Sequence, residues 1–120
     1  EKLHQFRSQE LNNVAWALAR LLDENKPSAA TLLQGIGTEM CNPRRRVTSQ
    51  DIGTTIWSFA TLEFFNDKLY RGLLARFTPD MVHSCKPQEL SNTVWAVATA
   101  DIDIGPERDA FDTTFLPQEI

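Results

Sequence analysis

The sequence predicts an all-α protein: an α-solenoid of antiparallel helical hairpins with a repeat period of 38–41 residues. Three observations predict it. Trp16, Trp57 and Trp95 lie 41 and 38 residues apart, and the residues around them align without a gap. The copies read Ser8-Gln9-Glu10-Leu11-Asn12-Asn13-Val14-Ala15-Trp16-Ala17-Leu18-Ala19, Ser49-Gln50-Asp51-Ile52-Gly53-Thr54-Thr55-Ile56-Trp57-Ser58-Phe59-Ala60 and Pro87-Gln88-Glu89-Leu90-Ser91-Asn92-Thr93-Val94-Trp95-Ala96-Val97-Ala98. A second segment repeats as well: Leu32-Leu33, Ile36, Glu39 and Met40 recur as Leu73-Leu74, Phe77, Asp80 and Met81. Finally, apolar residues fall at helical spacing, and no segment sustains strand alternation.

In the first helix of each unit, Leu11, Val14, Ala15, Leu18, Leu21 and Leu22 keep the helical period. With Trp16 included, the apolar arc spans roughly 220°, wider than the stripe of about 100° on a surface helix. A helix of that kind is buried on two flanks, as stacked repeats provide. Its start is marked by Thr48 with Asp51 as a capping box, by Pro87 at the first helical position, and by Glu10, Asp51 and Glu89 as first-turn acids. Trp16, Trp57 and Trp95 are read as structural core, beside Ala19, Ala60 and Ala98 on the apolar arc; the competing reading makes them stacking platforms for bases. Asn12, Gly53 and Ser91, four residues before each Trp, are expected to leave room for the indole.

The second helix of each unit covers roughly 27–40 and 67–82, with Leu69, Leu73, Phe77 and Met81 on one face. Lys26-Pro27-Ser28 and Asn66-Asp67 open it. Gly35 and Gly37 weaken it, each by about 1 kcal/mol against Ala. Pro79 and Pro117 share one repeat position, where the helix is expected to kink or restart. The units divide as 1–6 (the end of a preceding unit), 7–46, 47–85 and a truncated 86–120, a fragment of a longer array. A complete small helical domain with coincidental similarity is the bland alternative.

The composition is that of an ordinary globular chain: 120 residues and 13.6 kDa, 42% hydrophobic and 23% charged. No run approaches the roughly 20 apolar residues needed to cross a bilayer, and the first residues contain no secretory signal. Cys41 and Cys85 have no metal-site spacing, so neither a zinc site nor a disulfide framework is expected. Net charge is −4, against a generic polyanion coat. The charge is uneven: residues 44–86 carry 7 basic and 4 acidic side chains, residues 87–120 carry 1 and 7. Only the middle third is suited to face an anion.

The column pattern of Gln, acid, Leu or Ile, then Asn or Thr two residues on, and Trp with Ala three beyond, resembles the octotricopeptide repeat of organellar RNA-binding proteins. Similar arrays precede the RAP domain in that family and in its FAST-kinase-like relatives. The match is best at Gln9–Ala19 and Gln88–Ala98 and weaker where Gly53-Thr54 replaces the small residue and Asn. The resemblance implies binding of single-stranded RNA in a mitochondrial matrix or chloroplast, in support of processing, stability or translation of transcripts. A solenoid presents one equivalent strip per unit, so a strand laid along it is readable base by base. The polar arc opposite the core holds Glu10, Asn13, Ala17 and Arg20, then Asp51, Thr54, Ser58 and Thr61, then Glu89, Asn92, Ala96 and Thr99. Asn13, Thr54 and Asn92, with Arg20, Thr61 and Thr99 one turn on, are the candidates for base contact, because short amides and hydroxyls both donate and accept. The blander role for Asn13 and Asn92 is a hydrogen bond to neighbouring backbone that holds unit spacing. Arg44, Arg45, Arg46, Lys68, Arg71, Arg76 and Lys86 are the phosphate candidates. For Arg44 to Arg46 the alternative is a merely solubilising loop.

No enzyme is expected. His4 and His83 fall at equivalent helix ends without a nucleophile, and no P-loop, dinucleotide or zinc motif occurs. Asp101, Asp103, Glu107, Asp109 and Asp112 lack calcium-loop spacing. Neither cofactor, metal, membrane nor small-molecule substrate is implied. The alternative function is a protein–protein scaffold, the same concave surface receiving a peptide or partner helix.

Overall fold

The computed structural model describes residues 2–21 and 27–100. The expectations for Leu22, Lys26, the acidic cluster from Asp101 to Asp112, and Pro117 lie outside the described residues. Within them every regular element is helical: a 3-10 turn (Leu3–Gln5), then α1 (Ser8–Leu21), α2 (Pro27–Met40), α3 (Ser49–Thr61), α4 (Asp67–Ala75), α5 (Pro79–Ser84) and α6 (Pro87–Ala100). None of these helices is long and apolar enough to cross a membrane.

Local chemistry sets the boundaries. α1, α3 and α6 start on the same aligned column, and in each the first-turn acid accepts a backbone N–H from three residues earlier. Arg7 N–H donates to Glu10 at 2.8 Å, Thr48 N–H to Asp51 at 2.9 Å and Lys86 N–H to Glu89 at 3.1 Å. At α3 the box is complete, since Thr48 Oγ1 also accepts from Asp51 N–H. α3 stops where Glu63 adopts a left-handed φ of 57° and Phe64 N–H reaches back to the Phe59 carbonyl at 2.8 Å. Asn66 caps α4 through Leu69 N–H. The second helix of this unit restarts instead of kinking. α4 ends at Ala75, Thr78 caps the next turn, and Pro79, which has no N–H to donate, takes the first position of α5.

α3 packs between α1 and α6, and α2 lies against α1, α3 and α4. Leu11, Ala15, Ile36, Met40, Ile52, Ile56, Phe59, Tyr70 and Leu73 are fully buried where these helices meet. Phe59 meets the edge of Phe64 with centroids 5.0 Å apart, and Tyr70 donates its hydroxyl to the Phe64 carbonyl at 2.9 Å. Gly37 is more than a weak point in α2. A Cβ there would fall 2.6 Å from Leu69 Cδ1 and 3.2 Å from Phe59 Cε2, so the bare backbone lets α2 close on its neighbours.

The indoles are not core. Trp16 and Trp95 are 45% and 46% exposed, and Trp57 is half-buried. At about 100° per residue, the Leu and Val side chains of α1 and Ala15 cluster within roughly 120°; the indole stands about 100° beyond Ala15 and about 60° beyond Ala19, at the margin of the packed face. Both flanks of α3 are closed instead by small residues, Gly53 on one side and Ser58 on the other, each buried. Ser58 and Ala96, read from the sequence as outward-facing, are therefore fully buried. The outward face is the narrow arc between these flanks, and it carries Trp, Gln and the short polar residue of each copy.

Candidate nucleic-acid interface

Side chains that join one repeated helix to the next position this outward face. Buried Asn12 on α1 donates Nδ2 to Asp51 Oδ1 on α3. Ser49 on α3 donates its hydroxyl to Glu89 on α6 at 2.7 Å. Asp51 and Glu89 thus cap their own helices and hold the preceding one. At Gly53 a Cβ would sit 3.0 Å from the Glu89 carbonyl oxygen, so α3 and α6 approach at near backbone contact. The small column makes room for the next helix rather than for the indole. The junction amide is Asn12; Asn13 is exposed and Asn92 half-buried, and neither side chain takes a hydrogen bond among the described residues.

A cleft of about 310 Å³ runs across this face. α1 contributes Trp16; α3 contributes Gln50, Thr54 and Trp57; Gln88, Glu89 and Asn92 of α6 close the far side, with Lys86 at its edge. Two indoles therefore share one cleft with four short polar side chains and one ammonium. Among the described residues Glu89 is the sole carboxylate on its wall, and its charge is already held by the Ser49 hydroxyl and the Lys86 N–H. Such a surface combines flat apolar faces with groups that both donate and accept.

Of the base-facing candidates, the structure brings Thr54 and Asn92 into the cleft. Arg20 stands on the same face, its guanidinium 5.2 Å above the Trp16 ring, a cation–π contact on the neighbouring indole. Asn13 and Thr99 are exposed outside the cleft, and the Thr61 hydroxyl is buried without a partner.

The phosphate candidates do not converge, and several are structural. Arg76 donates to the Met40, Asn42 and Arg45 carbonyls, satisfying the C-terminal end of α2 and the loop beyond it. Arg45 pairs with Glu39 at 2.8 Å and donates to the Phe6 carbonyl, leaving its side chain 11% exposed. Arg71 pairs with Asp67 at 3.1 Å along α4. Arg76 and Arg45 clamp the loop after α2 to the elements around it, and Arg71 is tied to its own helix. Arg44 and Arg46 remain exposed on a separate cleft of about 580 Å³ beside His4 and Phe6. Lys68 is exposed on α4. Of the phosphate candidates, Lys86 alone borders the indoles among the described residues.

Cys41 and Cys85 are free thiols. Burial pushes Cys41 above the ordinary thiol range, partly offset by the Arg76 guanidinium. Burial and the Glu89 charge push Cys85 the same way. Burial also raises Tyr70, so its hydroxyl stays a donor at any moderate pH. Neither thiol has the lowered pKa of a nucleophile.

The sequence signal that should have found the cleft was angular. Trp16 stands nearer on the helical wheel to Gln9 and Arg20 than to any Leu. Asn12 and Asp51 carry no local sequence signal as a junction pair, being 39 residues apart and on different helices.

No family model, no curated protein and no solved structure matches this chain.

Proposed function

We propose that the chain is a segment of an α-solenoid that binds single-stranded RNA along the shared outward face of α1, α3 and α6, with organellar transcripts as the class the repeat resemblance implies. The cleft that sets Trp16 and Trp57 beside Thr54, Asn92 and Lys86 carries the reading. A base stacked on an exposed indole is worth roughly 1–3 kcal/mol whatever its identity. Short amides and a hydroxyl beside it offer an edge to read, and a lysine at the rim offers a phosphate seat. Trp16, Trp57 and Trp95 recur at one helical position, so the same contact repeats along a strand.

Titration of fluorescently labelled single-stranded RNA with the full chain at two salt concentrations tests this. With about two phosphates neutralised, by Lys86 at the rim and Arg20 beside Trp16, affinity falls roughly 7-fold between about 50 and about 200 mM salt. Trp57→Ala weakens binding by about 5-fold or more. Absence of RNA affinity at the lower salt refutes the proposal. The exposed indoles also favour a second reading, a docking face for a protein segment, since Trp is enriched at interface hot spots. That reading predicts no affinity for RNA.

A further inference from the structure

The cleft takes unequal contributions from the three copies. It includes Trp16 of the first copy without Gln9 or Asn13, the polar partners on the same helix. It includes Gln88 and Asn92 of the third copy without Trp95. Only the middle copy contributes all three columns, Gln50, Thr54 and Trp57.

Helix geometry gives the reason. On α1, Asn12 faces α3, since its side chain donates to Asp51. On the helical wheel Trp16 stands about 40° from Asn12, and Asn13 about 60° further round, away from α3. The equivalent flank of α3 is Gly53, which lies against α6 at the Glu89 carbonyl. Each indole therefore leans toward the following repeat, and each Asn or Thr leans back toward the preceding one. Thr54 is turned to the Trp16 side and Asn92 to the Trp57 side.

We propose that each nucleobase is held across the junction of two repeats: the indole of one supplies the stacking face, and the Gln and Asn or Thr of the next supply the hydrogen-bonding edge. This rests on the single-stranded RNA reading above. It yields two bays here, Trp16 with Gln50 and Thr54, and Trp57 with Gln88 and Asn92. Gln is common to both, so the residue that distinguishes one bay from the other is Thr54 against Asn92. A planar amide presents its donor and acceptor in fixed relation, whereas a hydroxyl rotates to suit either. The Asn92 bay is thus the more selective, and the indoles contribute affinity that is indifferent to base.

A mutant cycle on the full chain tests this, using short single-stranded homopolymers of each of the four bases. Asn92→Ala narrows the ratio of best to worst homopolymer affinity by about 5-fold, the discrimination expected of one good base contact. In a Trp57→Leu background, which keeps an apolar side chain but removes the π face, the same substitution no longer changes that ratio. Trp57→Phe, which keeps a π face, preserves the effect, and circular dichroism verifies that each variant is folded. In Trp16→Ala and Trp95→Ala backgrounds Asn92→Ala acts in full. If the effect persists without the Trp57 ring but vanishes without Trp95, bases are read within single repeats and the junction proposal is overturned. If Asn92→Ala leaves the ratio unchanged in the unaltered chain, it is overturned as well. RNA binding that survives with either of those outcomes leaves the broader function standing; absence of binding in the unaltered chain removes both.

Discussion

The contact between Asn12 and Asp51 is the sharpest test of how α1 is held to α3. Both residues are buried, at 5% and 6% exposure, so water has little room to replace a lost donor. Asn12→Ala deprives a buried carboxylate of its amide, and a hydrogen bond to a charged group contributes about 1.5–3 kcal/mol. Ala is the better helix former by roughly 0.6 kcal/mol, so the net loss is about 1–2.5 kcal/mol. At about 4 °C per kcal/mol this is a fall in Tm of roughly 4–10 °C. The adjacent Asn13→Ala supplies the control: the same residue type on the same helix, but exposed, is expected to stabilise by a few tenths of a kcal/mol. Urea unfolding followed by circular dichroism at the helical band reads both. Equal midpoints for the two variants refute the junction role of Asn12.

Two further outcomes follow from side chains near the helix ends. Arg76→Ala removes donors from three carbonyls at the end of α2 and in the loop beyond it and should cost about 2–3 kcal/mol in urea unfolding; Arg76→Lys, a single ammonium for a planar fork, should recover less than half. If Arg76→Ala leaves stability intact and instead reduces the salt dependence of RNA binding, it is a phosphate ligand after all. For the cysteines the thiolate is the reactive form, so a raised pKa means less of it at a given pH. Modification of both thiols by a disulfide reagent should be slow at pH 8 and still climb with pH through the ordinary thiol range. A rate that levels off below that range contradicts the burial assigned to them.

Much of the helical layout was legible because it is written in local chemistry. Thr48 with Asp51, Asn66 and Pro79 announce helix starts through groups one turn away, and the structure uses each as a cap or first residue. What was illegible needs two helices at once. Arg45 and Arg76 look like free cations in a basic third of the chain, and only the fold shows their guanidinium groups filled by carbonyls from residues 31 to 39 positions away. Gly53 looks like an imperfection in its copy, yet it marks where two backbones nearly touch.

The misplacement of the tryptophans has a physical lesson for repeat sequences. Any side chain carried once per repeat returns to the same face of its helix, whether that face is inside or outside, so recurrence by itself does not argue burial. Angular distance does. In each copy the indole stands between the Gln and the column of Asn12, Gly53 and Ser91, outside the Leu and Ile stripe. An apolar ring repeated on a polar arc costs hydrophobic exposure at every unit without adding to the core. Small residues close both flanks of α3 so tightly that its outward strip is the main surface left for contact with anything else. Exposed rings of this kind suit a stacked base, as proposed above, or a protein segment, and the RNA titration separates the two.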